Sequence, residues 1–493
     1  MNSQLLASPG QRAGTPPSPH RGDTRHNPTK GKFAAQHRRR MFRADLLTVA
    51  LWASLAAALA LWLADGGVSS VGNATQAVTA VGILAGLAGM DLVILMLLLA
   101  ARLPFVDGAV GHDRALEFHR KLGKPALYLL LAHGLLLATG YGMAEGLNPV
   151  SEAVALWVLV PDMWLAFVSM ALFIAVVVTS LVAVRRRFPY EFWYFVHLLT
   201  YLAVATALPH QFSVGGLFAE GTWQRWYWLL LCIGTGSALA WYRIAKPVIA
   251  TYRHQLTVRR VVRVSPDVVS IEMTGLRLNE LSGNGGRFFV WRFLAPGMWW
   301  QAHPFSLSAE PQVGPTSNRS SRQPSLRITV RNLGAGSARL ASLKPGTKVA
   351  IEGPYGVFST AARSRDRVVM IGAGIGITPL RALLESTPFA PGQATVLLRG
   401  SSPEELFLGQ EILELCRKRG ATLFHLTGPR AAHGRNTWLP ASADSSRLRD
   451  FVPDIADADV YVCGPTAWAG QVLAEAKSSG VREEQLHYER FDW

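Results

Sequence analysis

Cysteine is nearly missing from this chain. Its three cysteines, Cys232, Cys416 and Cys463, are widely spaced and never form CxxC. That excludes a disulfide framework, a cysteine-ligated zinc site and a built-in four-cysteine iron–sulfur cluster. Acidic residues are also scarce: 33 Asp and Glu stand against 49 Lys and Arg in 493 residues, a net charge of +16. An isoelectric point near 10.1 could suit a nucleic-acid binder. The cations, however, crowd beside apolar runs where membrane topology explains them, so no nucleic-acid partner is expected. Mean hydropathy is +0.20, and nearly all of that excess falls between about residues 44 and 248.

Residues 1–36, rich in Pro, Gly, Ser and Arg and without apolar periodicity, are expected to form a disordered cytoplasmic tail. The tail is too long and polar ahead of the first apolar run for a signal peptide. Six apolar segments follow, near 44–64, 78–101, 124–144, 156–184, 190–210 and 226–248. Each can cross a hydrocarbon core of about 30 Å with about 20 helical residues. Asp162 near the start of the long fourth segment marks its outer part as interfacial. Arg38, Arg39, Arg40 and Arg43 precede the first segment, and Arg102, Arg114, Arg120, Lys121 and Lys124 lie between the second and third. Arg185, Arg186 and Arg187 lie between the fourth and fifth, and Arg243 and Lys246 close the sixth. The alternate loops, 65–77, 145–155 and 211–225, hold one basic residue, Arg225. The positive-inside rule then puts both termini in the cytoplasm and the chain in the cell membrane as a multi-pass protein.

Four histidines stand in two of these segments. His119 and His133 are 14 residues apart, and His197 and His210 are 13 apart. Fourteen residues return to within about 40° of one helical face and climb about 21 Å. Segments three and five run in the same direction, so His119 pairs in depth with His197 and His133 with His210. Two such pairs, one near each membrane surface, can ligate two haem irons. Thirteen residues leave an ideal helix about 140° out of phase, which predicts a local unwinding or π turn near Pro209. Ionisable residues inside a bilayer are costly and usually functional.

From about residue 253 the texture changes. Short runs such as Leu256–Val264, Val268–Met273 and Leu326–Val330 between Gly and Pro turns predict an antiparallel barrel or sandwich. After about 366, strands (Val368–Ile371, Thr395–Leu398, Val460–Val462) alternate with helical stretches (Leu380–Leu384, Glu404–Arg419, Trp468–Lys477), the pattern of a parallel nucleotide-binding sheet. The insert 311–325 reads as a flexible loop.

The stretch Gly372-Ala-Gly-Ile-Gly-Ile-Thr-Pro379 follows a strand and opens a helix. Its glycines allow a tight turn and close approach to a pyrophosphate at a helix N-terminus, and Thr378 and Pro379 add a hydroxyl and a first-turn proline. Tyr461-Val-Cys-Gly-Pro465 sets a polarizable thiol, Cys463, at a strand tip beside Gly464 and Pro465, where a nicotinamide ring can lie. His303, Pro304, Phe305 and Ser306 suit the edge of a flavin ring. Arg331 with Gly334-Ala-Gly336-Ser337 suits a second pyrophosphate, and Phe491 and Trp493 at the terminus can cover a flavin face. Arg399 and Ser401, after the strand Thr395–Leu398, offer a cation and a hydroxyl to an adenosine 2′-phosphate, which predicts a preference for NADPH with NADH possible.

In order, HPFS, VRNLGAGS, EGPYG (352–356), GAGIGITP, VYVCGP and the aromatic terminus resemble the ferredoxin–NADP reductase superfamily. Coupled to membrane histidines spaced 14 and 13, the whole from about 44 to 493 resembles the ferric reductase and NADPH oxidase superfamily. The resemblance implies a multidomain chain. An α-helical membrane bundle of six transmembrane helices (37–250) binds haem; an antiparallel β-barrel FAD domain (251–362) and an α/β parallel-sheet NAD(P) domain (363–493) follow it. It implies His119, His133, His197 and His210 as ligands of two haems b. It places His303, Pro304, Phe305 and Ser306 along FAD, with Arg331, Gly336 and Ser337 at its pyrophosphate. Gly372, Gly374, Gly376, Thr378 and Pro379 cradle the nicotinamide dinucleotide, with Cys463 near its reactive ring. Phe491 and Trp493 both compete for the flavin-stacking place, and Ser337 stands where many relatives have Thr. The implied activity passes hydride from NAD(P)H to FAD and single electrons through the inner and then the outer haem. The expected acceptor outside is a ferric chelate. Superoxide formation from dioxygen, or delivery to a protein partner, is the alternative.

Overall fold

The computed structural model describes residues 28–185, 187–214, 216–312, 324–332, 334–430 and 437–489. The tail through residue 27, most of the 311–325 insert, and Phe491 and Trp493 lie outside the described residues. The chain forms two compact units: Arg43–Val106 with His112–Ile244, and Met1–Phe42 with Asp107–Gly111 and Ala245–Trp493.

The first unit is helical. Its elements are α1 (Pro28–Ala64) from Arg43 onward, α2 (Ala74–Ala100), α3 (His112–Glu145), α4 (Pro149–Leu159), α5 (Met163–Ser180), α6 (Tyr190–Ser213) and α7 (Trp223–Ala240). Among the described residues six helices are long and apolar enough to cross a membrane, as the hydropathy runs predict, and the chain is a multi-pass membrane protein. Side-chain caps start the helices where the polar loops end. Asn73 Oδ1 accepts from Gln76 N at 2.9 Å, and Asn148 Oδ1 accepts from Val150 N and Ser151 N at 3.0 and 2.9 Å. Each satisfies amides that a first helical turn leaves free.

Three details differ from the sequence reading. Helix α1 already begins at Pro28, inside the stretch expected to be disordered; proline at a first helical position presets φ, and no breaker strong enough to stop the helix follows before the apolar span. The long fourth segment is broken into α4 and α5 at Pro161-Asp162, where Asp162 takes φ 61°. Helix α6 is continuous α from Tyr190 to Ser213 with Pro209 inside it. Pro209 lacks the N–H owed to the Ala205 carbonyl, so it loosens one rung without an inserted residue. The π turn occurs instead at Trp241–Ala245, ahead of α8 (Lys246–His254).

The second unit carries two sheets. The strands β1 (Leu256–Ser265), β2 (Val268–Thr274), β3 (Phe288–Phe293), β4 (His303–Ser306), β5 (Leu326–Arg331) and β6 (Lys348–Tyr355) form an antiparallel sheet in the order β4-β3-β6-β1-β2-β5. The two edge strands meet through one bridge, Leu307 to Ile328, so the sheet curls without a full closing ladder. Its interior is filled by Phe289, Trp291, Phe293, Ile328 and Ile351, all in one buried cluster.

A short helix, α9 (Ala335–Leu340), follows β5. The strands β7 (Arg367–Ala373), β8 (Ala394–Gly400), β9 (Thr422–Thr427), β10 (Ala458–Cys463) and β11 (Leu486–Glu489) form a parallel sheet in the order β11-β10-β7-β8-β9. The crossover helices include α10 (Ile377–Ser386), α11 (Gly409–Arg419) and α12 (Thr466–Ser478). Every residue of β10 is buried, as expected of a strand covered on both faces.

A buried polar node holds the N-terminal end of this sheet. Asp459 Oδ2 accepts from Ser364 N at 2.8 Å and Arg365 N at 2.6 Å, and Asp459 Oδ1 lies 3.0 Å from His487 Nε2. Burial, partly countered by Asp459, holds the His487 imidazole below the usual histidine value of 6.5. A histidine depressed in the folded state contributes full stability above the unfolded value and loses it as pH falls through that value. The melting temperature is therefore expected to fall on acidification from about pH 7 to about pH 5, and less steeply in His487→Asn. Equal slopes in scanning fluorimetry would remove His487 from this account.

Candidate functional site

In the helical unit, α3 and α6 bring their histidines together in the expected pairs. The His119 and His197 ring centres lie 6.0 Å apart. Two imidazoles on opposite sides of one metal, each bonded through nitrogen at about 2 Å, hold their ring centres about 6 Å apart. His133 and Asp162 both lie close enough to His210 to act on it electrostatically. No group of three or more His, Cys, Asp or Glu among the described residues could hold a bare metal ion. Two imidazoles without a third ligand would suit an iron whose other positions are filled by a macrocycle.

Helix α2 sets the orientation of two of these rings. His119 Nδ1 lies 3.0 Å from the Met96 carbonyl and His133 Nδ1 lies 2.8 Å from the Gly82 carbonyl. With Nδ1–H donating, Nε2 is left with its lone pair free for a metal. His197 Nδ1 lies 3.5 Å from Ser180 Oγ, and the His197 ring stacks on Trp193 at 5.2 Å. The approach of α2 to α3 depends on glycine. A Cβ on Gly86 would stand 2.4 Å from His133 Nδ1, and one on Gly140 would stand 2.3 Å from Thr79 Oγ1. The sequence does not by itself single out these supporting residues, although Gly82/Gly86 and Ala85/Gly89 have the four-residue small-residue spacing that marks close helix pairs in membranes.

In the other unit, β7 and β10 are neighbours, β8 and β9 continue to one side, and β11 lies on the other. The order reverses between β7 and β10, and ligands of such sheets bind at the C-terminal ends of the strands at that point. Both nucleotide motifs end there. Gly374 takes φ +55°, and a Cβ on Gly376 would lie 2.3 Å from the Cys463 carbonyl oxygen and 2.7 Å from Gly464 N. The glycine turn and the Cys463-Gly464 tip therefore touch backbone to backbone. The Thr378 hydroxyl is buried and donates to the Ile375 carbonyl at 2.8 Å, so it shapes the turn instead of facing a ligand. Pro379 is buried with it in the first turn of α10. Cys463 is fully buried with its thiol 3.8 Å from the Glu489 carbonyl. Burial, with the Glu489 carboxylate, raises that thiol well above its usual value, so it stays protonated and is no nucleophile.

On β4, His303 and Phe305 have parallel rings 5.9 Å apart, and Pro304 separates them along the strand. His303 Nε2, Ser306 Oγ and Gln301 Oε1 are buried without a hydrogen-bond partner. Buried polar groups normally find partners, so three orphans on one short segment point to an absent polar ligand. Gly336 faces them, since a Cβ there would meet His303 Cε1 at 3.9 Å and Gln301 Oε1 at 4.0 Å. Burial keeps His303 below the usual histidine range and hence neutral. Gln301 is a site residue that the sequence reading passed over, although it adjoins the HPFS motif. Arg331 pairs with Asp267 Oδ2 at 2.6 Å and lies over Phe407. Its Nη1 would stand 3.9 Å from a Cβ on Gly374, so the cation adjoins the glycine turn. The Ser337 hydroxyl and Gly334 N, 3.2 Å apart, close the turn that starts α9.

Arg399 departs from its expected place. It is 4% exposed and directs its guanidinium at the carbonyls of Trp438, Leu426 and Gly400. A cation given to interior carbonyls is not presented to a phosphate at the surface, so the reason offered for an NADPH preference falls away. Ser401 is exposed, but its amide donates to Glu405 Oε2 at 2.8 Å.

Residues 85–208 match the family described as ferric reductase like transmembrane component, and residues 370–473 match the oxidoreductase NAD-binding domain. The chain is 31% identical over 153 residues to the reductase component of propane 2-monooxygenase from Rhodococcus jostii, covering 30% of this chain and 41% of that protein. It is 28% identical over 180 residues to a flavohemoprotein of Vibrio cholerae, covering 34% and 42%. With ferredoxin–NADP reductase B of Sorangium cellulosum it shares 27% over 180 residues, covering 34% and 71%. The chain spans less than half the length of the first two of these relatives.

Gly376→Ala tests the contact between the two nucleotide motifs. Neither Cys463 O nor Gly464 N can swing aside as a side chain would, so the variant is expected to lose about 1–3 kcal/mol of stability. It is also expected to weaken binding of a nicotinamide nucleotide. Calorimetric melting and nucleotide titration measure both, and unchanged values would show that the turn is not held against β10.

Proposed function

We propose that this chain, which joins a ferric reductase-like transmembrane component to an oxidoreductase NAD-binding domain, is a membrane flavocytochrome oxidoreductase. It takes electrons from NADPH or NADH on the cytoplasmic side and delivers them through FAD and two haems b to an acceptor on the other side. The observation that carries this reading is the His119–His197 pair, centres 6.0 Å apart, with His119 Nδ1 held by a backbone carbonyl.

When bound, nicotinamide and flavin supply hydride exchange and the haems supply one-electron exchange. The protein supplies position. His119 and His197 would hold the inner haem, and His133 and His210 the outer. Met96 and Gly82 fix two of the four rings through their carbonyls, which would leave the Nε2 lone pairs free for a metal. His303, Ser306 and Gln301 would give the flavin the hydrogen bonds that they lack in the chain itself. The glycine turn 372–376 and the Gly464-Pro465 tip would carry the dinucleotide. This reading requires no side chain to act as a general acid.

The acceptor we favour is a ferric chelate. The transmembrane component that residues 85–208 match is described as ferric reductase like, which supports that choice. Purified protein with NADPH or NADH is expected to show two bis-histidine haems per chain and to reduce ferric chelate faster than dioxygen. His133→Ala or His210→Ala is expected to remove one haem and leave the other, read from pyridine haemochrome spectra. A fully loaded wild type with one haem or none would refute the bundle's role, and faster reduction of dioxygen would make superoxide the product.

A further inference from the structure

Asp91 is a buried charged residue that the electron path leaves unused. It stands in the middle of α2 and is fully buried. Ser54 Oγ of α1 donates to its Oδ1 at 2.7 Å, and its Oδ2 is buried with no hydrogen-bond partner. Tyr227 of α7 lies beside both Ser54 and Asp91. These are the polar groups that face it from the packed helices, and no cation among the described residues acts on it. On α2 it is five residues from Met96, which holds His119, and nine from Gly82, which holds His133. At 1.5 Å per residue those separations are about 7.5 and about 13.5 Å along the axis.

We propose that Asp91 is a proton-binding site inside the membrane bundle whose occupancy follows the redox state of the centres held by α3 and α6. The inference rests on the haem reading above. An unpaired carboxylate in a membrane interior is costly, and the carboxyl can escape that cost by taking a proton. Oδ2, the oxygen without a donor, is where the proton binds. An added electron on a centre held by α3 and α6 would place a second negative charge in a medium that screens it weakly, which raises the cost of the anion further. One electron enters the bundle and one proton from water forms the O–H bond on Asp91. Both leave when the electron passes on, so the bundle's net charge is unchanged. By linkage, the proton must in turn stabilise the reduced state.

The test uses the full chain in detergent with its haems bound. Over the titration window the wild-type haem midpoint potential is expected to fall with rising pH by up to about 59 mV per unit, the one-electron equivalent of a tenfold change. Asp91→Asn keeps the shape and an oxygen for Ser54, and it is expected to flatten that slope. Redox-difference infrared spectra of the wild type are expected to show a protonated-carboxyl C=O band gained on reduction and absent from the variant. Ser54→Ala leaves the carboxyl but removes its donor, and it is expected to shift the pH window. Equal slopes in wild type and Asp91→Asn, or no carboxyl band in the wild type, would overturn the site while leaving the haem reading intact. Protein without haem spectra would overturn that reading and the site with it.

Discussion

The membrane unit depends on one constraint: the backbone of α2 must come close enough to α3 for its carbonyls to accept from imidazoles. A helix carbonyl already accepts from the amide four residues on, and the side chain of that residue normally shields its second lone pair. For Gly82 the residue four on is Gly86, and for Met96 it is Ala100. Both side chains are small or absent, so the carbonyl stays open from the side. At Gly86 the requirement is strict, because any Cβ would fall on the His133 ring. Lipid gives helices little hydrophobic reason to associate, so such close contacts with their hydrogen bonds hold the pair together.

Much of this was legible from the residues alone. Hydropathy finds a span because the bilayer demands about 20 apolar residues in a row, a purely local property. The histidine pairing by depth was legible for a similar reason, since helical rise is nearly fixed and only the direction of the spans had to be inferred. The phase of His210 was not. The rule that 13 residues miss the face assumes ideal, straight helices, and α6 remains continuous α with a proline inside. Gly82 and Gly86 formed a visible pattern, but their purpose exists only once α3 lies against them. Asp91 is visible as a lone acid in an apolar run, whereas its donor Ser54 is 37 residues away on another helix.

In the soluble unit, motif order was legible and side-chain direction was not. Alternating strands and helices with a glycine turn after the first strand announce a parallel sheet and its ligand edge. Arg399 stands at the right place along the chain, but one strand residue differs from the next by which face it meets. A position at the end of β8 could serve solvent or interior equally well by sequence. The interior carbonyls of Trp438 and Leu426, contributed by distant segments, decide it. Thr378 is similar: a hydroxyl in the right motif is consumed by a carbonyl three residues back.

The two sites hold their ligands by different means, and this governs what each tolerates. At the switch point the groups that meet are backbone atoms, and glycine is required because of what a Cβ would strike, as at Gly376 against Cys463 and Gly464. Side-chain chemistry there is largely turned inward, as Cys463, Thr378 and Arg399 all illustrate. In the membrane unit the candidate ligands are side chains, and the backbone serves to aim them. A conservative change at a histidine removes a ligand outright. A change at Gly86 leaves every ligand present and tilts one of them. The distinction matters most in the membrane interior, because a tilted imidazole would lose its carbonyl acceptor in a medium with no water to replace it.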